Sequence, residues 1–176
     1  MKTAARSLLV LLVVAGFGGL TQAQARVKRV SSSFHIGSAH PLGILDSLSD
    51  ANIHVDVDLS YRLQKRLPTG AALYAKLLVG LNQFTAEIAT GIEHPRWINA
   101  SVNLQVVAPG AGPRPYVQAG PGVYWPKSGP AKSGLNIGVG EQVSVGVIRL
   151  EFGLDLHQVQ SKPVTRFVTI QLGVLY

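Results

Sequence analysis

The sequence predicts an all-β fold, an eight-stranded antiparallel up-and-down barrel. Three observations predict it. Apolar and non-apolar residues alternate with period two along most of the chain, the spacing of successive side chains on a strand. Helical periodicity is nearly absent past the N-terminus. Eight alternating segments follow one another with no linker or composition shift between them, which gives one domain. At 176 residues the chain is long enough for one domain with a real core.

The first 25 residues stand apart and read as a secretory signal peptide, residues 1–25. Lys2 and Arg6 supply the basic start, "SLLVLLVVAGFGGL" the apolar run, and Ala23-Gln24-Ala25 a small-x-small cleavage site. The apolar run is too short and too broken by Gly to make a good spanning helix. Cleavage is expected after Ala25; an uncleaved anchor is the alternative. Residues 26–32 then form a mobile tail, and the barrel occupies residues 33–176. No cysteine is present, so neither a disulfide nor a lipid-modified Cys is available.

The strands follow in order. "SFHIGSA" is short. In "NIHVDVDLSYRL", Ile53, Val55, Val57, Leu59, Tyr61 and Leu63 oppose Asn52, His54, Asp56, Asp58, Ser60 and Arg62. "ALYAKLLVGLN" sets Leu73, Ala75, Leu77, Val79 and Leu81 against Tyr74, Lys76, Leu78, Gly80 and Asn82. "WINASVNLQV" repeats the pattern. "YVQAGPGVYW" is glycine-rich and carries Pro121, which is awkward in a central strand. "GLNIGVGEQV" alternates until Glu141 falls on the apolar face, either at a water interface or beyond a bulge. "VIRLEFGLDLH" opposes Ile148, Leu150, Phe152, Leu154 and Leu156 to Arg149, Glu151, Gly153, Asp155 and His157. In "FVTIQLGVLY", Val168, Ile170, Leu172, Val174 and Tyr176 form one face; this strand is expected to pair with the first. Longer connections are read at "HPLGILDSLSDA" and "FTAEIATGIEHPR".

Alternation alone does not say which face is inside. A soluble barrel hides its apolar face; a membrane barrel turns it to lipid. Strands of about 10–12 residues fit the roughly 9–11 of a tilted membrane strand. Tyr61 and Tyr176 fall at strand ends on one side, Trp97 and Trp125 on the other, as in two interfacial girdles, although the parity of Trp97 puts it on the polar face. The polar face mixes Asp56, Asp58, Arg62, Lys76, Arg149, Glu151 and Asp155 with Gly and Asn, the composition of a narrow lumen with a compensating polar network. If the second turn centres near Leu67, Asp58 lies directly across from Lys76 and pairs with it. Charged residues make up only 14% of the chain, against about a quarter in an average soluble domain. These features favour a transmembrane barrel.

The segment "PYVQAGPGVYWPKSGPAKSGLNIGVG", with Tyr116, Gly120, Gly122 and Tyr124 and then Gly134, Gly138 and Gly140, resembles the central hairpin of the small bacterial outer-membrane β-barrel family, the OmpA-like eight-stranded barrels. "VTIQLGVLY" is similar to that family's closing strand. The resemblance spans Ser33 to Tyr176; Pro121 within the motif and a final Tyr in place of the commoner Phe are departures. It implies an outer-membrane location, contact with outer-membrane lipid, and transit with periplasmic chaperones. It also implies that Val168, Ile170, Leu172, Val174 and Tyr176 are the signal read by the barrel assembly machinery.

Chemistry is weakly encoded. Asp155, His157 and Ser161 lie near one rim, and His54 and Asp56 share a face. A nucleophile needs Ser beside His and His beside an acid, and "HQVQS" does not reproduce the His-x-Ser arrangement of the lipid-A deacylase barrels. No catalytic residues are expected. His35, His40, His54, His94 and His157 are dispersed, so neither a metal nor a cofactor is expected. Asn99 matches a glycosylation acceptor by chance, mid-strand. Loss of Lys2 and Arg6 leaves 14 basic against 9 acidic residues; they are scattered and match no nucleic-acid motif, so no nucleic-acid partner is expected. The expected protein is a monomeric, non-catalytic envelope component with a minor pore or surface-binding role. A lipid-modifying barrel of the lipid A acyl hydrolase type and a soluble periplasmic barrel holding an apolar ligand are the alternatives.

Overall fold

In a computed structural model, residues 29–43, 50–64, 67–88, 91–93 and 95–176 are described. The signal-peptide expectation for residues 1–25 lies outside them. Among the described residues nine strands form: β1 (Val30–Leu42), β2 (Asp50–Gln64), β3 (Ala72–Ile88), β4 (Gly91–Glu93), β5 (Arg96–Val107), β6 (Arg114–Pro126), β7 (Lys132–Val145), β8 (Ile148–Val159) and β9 (Thr165–Leu175). Eight of them are staves. Each pairs antiparallel with its neighbours in the order β2-β1-β9-β8-β7-β6-β5-β3, and β2 pairs with β3 to close the barrel. Closure gives every stave a hydrogen-bonded neighbour on both sides. β1 and β9 pair from Ser33↔Leu175 to Leu42↔Arg166. Strand β1 starts, and β9 finishes, at what we term the Tyr176 end; the opposite end carries Trp125.

Several boundaries move from the sequence reading. β1 begins at Val30, with Val30 opposite Tyr61 and Ser31 opposite Ser60, so residues 30–32 belong to the barrel and not to a tail. The connection after the third segment is largely strand: β3 runs on to Ile88 and folds back on β4 as a hairpin, Ala86↔Glu93 to Ile88↔Gly91. The β2–β3 register pairs Asp58 with Leu78 and Ser60 with Lys76, so the turn centres one residue later than expected. The β7–β8 turn has two residues, Gly146 and Val147; Gly146 alone takes positive φ, 61°, which a glycine tolerates without strain.

Pro121 is accommodated at a gap. The β5–β6 ladder runs Trp97↔Pro126 to Ser101↔Gly122, then resumes at Leu104↔Ala119. A proline has no N–H to donate, and the interruption falls where that donor is missing. Across this gap the backbones close up: a Cβ on Gly120 would sit 1.9 Å from the Val102 carbonyl oxygen.

The barrel is inside-out relative to a water-soluble domain. Among the described residues, buried polar and charged side chains outnumber buried apolar ones. The outward positions are apolar over the staves' middle lengths, with Leu104 57%, Val102 56% and Ile137 60% exposed. A water-soluble monomer rarely exposes a continuous apolar belt of this kind. Glu141 interrupts it. The ladder passes through Glu141 without a bulge, Pro115↔Glu141 and Glu141↔Phe152, and the half-exposed side chain stands on the outer face four residues from the end of β7. The bulge alternative is thereby excluded.

Candidate lumen site

The lumen is built in three storeys. At the Trp125 end an aromatic plug gathers Ala39, Phe84, Tyr124, Val159 and Phe167, all buried. The Phe84 and Phe167 rings meet edge to face at 5.4 Å, and His157 stacks on Phe167 at 4.5 Å. At the Tyr176 end Ala72, Tyr74, Val107 and Tyr116 form a second cluster. Between the two lies the charged storey.

Its centre is Lys76. The ammonium donates to Asp58 Oδ2 at 2.8 Å and to Glu151 Oε1 at 2.9 Å, with all three side chains buried. Asp58 is reached diagonally, since Ser60 is the residue directly opposite Lys76. The expected Asp58–Lys76 pair therefore forms, by a register other than the one predicted. Gln142 donates to the second Glu151 oxygen at 2.9 Å, and the Ser33 hydroxyl donates to Asp58. Such closure matters, because an ion pair taken out of water is sustained only if its remaining lone pairs are bonded.

A second group surrounds Asp56. His35 Nδ1 lies 2.7 Å from one carboxylate oxygen and His54 Nε2 2.7 Å from the other. His54 Nδ1 meets Asn82 Oδ1 at 2.7 Å. The sequence reading treats these histidines as dispersed, and the structure corrects it. The missing signal is the β1–β2 register, which sets His35 opposite Asp56. The ligand atoms of His35, Asp56 and Asp58 lie within 4.8 Å of one another. Those carboxylates already bond Lys76 and His54, so the Lys76 ammonium supplies the positive charge that a metal ion would bring.

The remaining predicted lumen residues divide. Asp155 accepts hydrogen bonds from Gln118 Nε2 at 2.7 Å and Gln171 Nε2 at 2.9 Å, and makes no ion pair among the described residues. Arg62 lies over the Tyr74 ring, 5.9 Å from its centroid, and Arg149 is 9% exposed; both sit at the Tyr176 end, beyond the charged storey. Gln171 also meets His54 Nε2 at 2.7 Å through its Oε1, so Asp155 joins the Asp56 group through Gln171 and His54. The glycines make room for the lumen lining. A Cβ on Gly138 would meet Asp155 Oδ1 at 1.6 Å, and one on Gly140 would meet the Tyr116 hydroxyl at 2.4 Å. The glycine motif of the central hairpin therefore marks where polar and aromatic side chains press against the β7 backbone.

No catalytic set assembles from the candidates. Ser161 bonds Thr165 and the Pro163 carbonyl. His157 faces the Tyr124 hydroxyl at 3.0 Å and Thr169 at 3.3 Å. Ser161, His157 and Asp155 do not hydrogen-bond one another. Asn99 is buried and accepts from Asn82 Nδ2 at 2.8 Å, out of reach of any glycosylating enzyme.

The aromatics also separate. Tyr61 and Tyr176 are exposed at one end and Trp125 at the other, all pointing outward. Trp97 does not join them: it packs inward against the Phe84–Phe167 plug, as its parity dictates. Val168, Ile170, Leu172 and Val174 face outward along β9.

Comparison with known proteins rests on this geometry. No protein-family model matches the sequence, and no curated protein does. Among solved structures, Neisserial surface protein A superposes with a TM-score of 0.57 at 12% identity, covering 84% of this chain and 96% of that one. The N-terminal β-barrel domain of Pseudomonas aeruginosa OprF superposes with a TM-score of 0.53 at 16% identity, covering 86% and 100%. This chain has the fold of the small eight-stranded outer-membrane barrels. At these identities the likeness is one of fold.

Proposed function

We propose that the protein is a non-catalytic integral component of the bacterial outer membrane, with its Tyr176 end in the periplasm and its Trp125 end at the cell surface. The observation that carries this reading is the predominantly apolar outer belt around a polar, ion-paired interior, an arrangement stable in lipid and unstable in water. A soluble barrel for an apolar ligand would need the opposite arrangement. A lipid-modifying enzyme would need a nucleophile beside a base, and the candidate Ser, His and Asp are engaged elsewhere.

Of the two finer roles, conduction and surface binding, the interior favours the second. An aromatic plug closes the Trp125 end of the lumen and ion pairs occupy its middle, as eight staves lead one to expect. The Trp125 rim, by contrast, carries Arg96, Lys127, Lys132, Lys162 and Arg166 along β5–β9, a cationic arc suited to anionic surface molecules. In this reading, assembly uses the outward face of β9 ending on Tyr176.

The test is fractionation. Membranes washed with carbonate and then urea should retain the protein, and the folded form should migrate differently on a gel before and after boiling. Release into the wash with no mobility change would refute the assignment.

A further inference from the structure

The outer wall at the Trp125 end carries two cations side by side. The β5–β6 register sets Ile98 opposite Trp125 and Trp97 opposite Pro126. The next pair is Arg96 with Lys127, whose N–H donates to the Arg96 carbonyl at 2.9 Å. Each of the two stands two residues from the outward, exposed Ile98–Trp125 pair, so they continue its row, and both are exposed. Two residues of strand rise about 7 Å. The cations therefore lie one step beyond an outward tryptophan, at the depth where lipid tails give way to headgroups.

Like charges directly opposite each other destabilise a strand pair. Among the described residues no ion pair includes Arg96 or Lys127. The sequence holds no Asp or Glu from Arg96 to Gly140, so β5, β6 and most of β7 offer these cations no acid. Lys132, Lys162 and Arg166 extend the positive rim over β7 to β9, and Arg166 engages only its Nε, on Gln158 Oε1 at 3.0 Å. Glu141, on the outer face of β7, lies toward the Tyr176 end instead. An anion lodged between Arg96 and Lys127 offsets their repulsion. Guanidinium offers a planar fork to two phosphate oxygens, and ammonium a point charge to a third. A phosphate that approaches from the side, level with the tryptophan, is a headgroup phosphate; a soluble polyanion would meet the loops from above.

We propose that Arg96 and Lys127, with Trp125 beneath them, hold a phosphate of the phosphorylated glycolipid of the outer leaflet. The choice of that lipid rests on the orientation proposed above, with the Trp125 end at the cell surface. It gives the cationic arc a ligand of defined chemistry.

The experiment titrates the full folded protein in zwitterionic detergent and counts bound lipid by native mass spectrometry. The probes are lipid A, lipid A stripped of its phosphates, phosphatidylglycerol and inorganic polyphosphate. Arg96→Gln and Lys127→Gln remove one cation each, and Arg29→Gln, an exposed cation over the Tyr61 ring at the opposite end, is the control. Each variant is first shown to be folded by its mobility shift on boiling; if one rim variant fails, the other carries the test. Losing a charge-assisted hydrogen bond should weaken lipid A binding about tenfold. Removing the phosphates should do the same, with Arg29→Gln unchanged. No lipid A binding, binding that survives both rim variants, or an equal loss in Arg29→Gln overturns the proposal. Phosphatidylglycerol or polyphosphate bound as tightly as lipid A overturns the choice of a glycolipid. Protease cleavage of the 127–132 loop in intact cells reads the orientation separately, so a wrong orientation and a wrong site give different results.

Discussion

The two walls of the lumen solve the same problem differently. Strands β1, β2, β3 and β8 carry the charges: His35, His54, Asp56, Asp58, Lys76, Glu151 and Asp155. There the carboxylates have protein partners at 2.7–2.9 Å. Strands β5, β6 and β7 carry neutral groups, Asn99, Ser101, Asn103, Gln105, Gln118 and Asn136, and several of their buried atoms have no protein partner, among them Ser101 Oγ, Asn103 Oδ1 and Gln105 Nε2. The difference follows from cost. A bare charge in a low-dielectric interior is penalised far more than a bare amide or hydroxyl. The carboxylates of the charged wall are all partnered, and its one loose atom in this group, His35 Nε2, lies 3.7 Å from Glu151; the neutral wall tolerates more loose ends.

Substitutions can break or sharpen that contrast. The largest effect is expected at Lys76→Met, which strands Asp58 and Glu151 without their cation. Urea unfolding in lipid should show a loss of about 3–5 kcal/mol. Next come Val57→Arg and Val102→Arg, which place a charge in lipid outside the charged and the neutral wall respectively. Each should cost about 2–4 kcal/mol near the midplane, and the two should agree, because the outer belt does not register what lies behind it. A marked difference between them would show that the walls are coupled through the sheet.

Gly138→Ala tests the seam between the walls. The new methyl must displace Asp155 from Gln118 and Gln171, and overpacking of this kind costs about 1–3 kcal/mol. At the bottom of the scale, Ser101→Ala removes a hydroxyl that bonds nothing in the protein, and its unfolding midpoint should move by less than about 0.5 kcal/mol in equivalent free energy. A loss there as large as that of Gly138→Ala would mean that the neutral wall is as exacting as the charged one.

The alternation of "NIHVDVDLSYRL" or "FVTIQLGVLY" is enough to assign strands and to sort their residues by face, since the period of two is a local property. Register is not local. The Lys76–Asp58 pair was legible as chemistry, but its diagonal geometry depended on a turn centred one residue later and on a bulge between Arg62 and Gln64. The His35–Asp56–His54 group was hidden for the same reason: it joins two strands across a connection whose length the sequence does not translate into pairing. The parity of Trp97 was correct evidence against its place in a girdle. The β3–β4 hairpin is not legible, because "FTAEIATGIEHPR" has too short an alternation on either side of its turn.

The central claim is that the apolar face meets lipid and the polar face the lumen. The chain's two tryptophans test it directly, since Trp125 points out and Trp97 points in. Single-tryptophan proteins, Trp97→Phe and Trp125→Phe, would be folded into bilayers containing brominated lipid and their fluorescence measured. The account predicts strong quenching of Trp125 and weak quenching of Trp97. Equal quenching, or quenching of Trp97 alone, would contradict it.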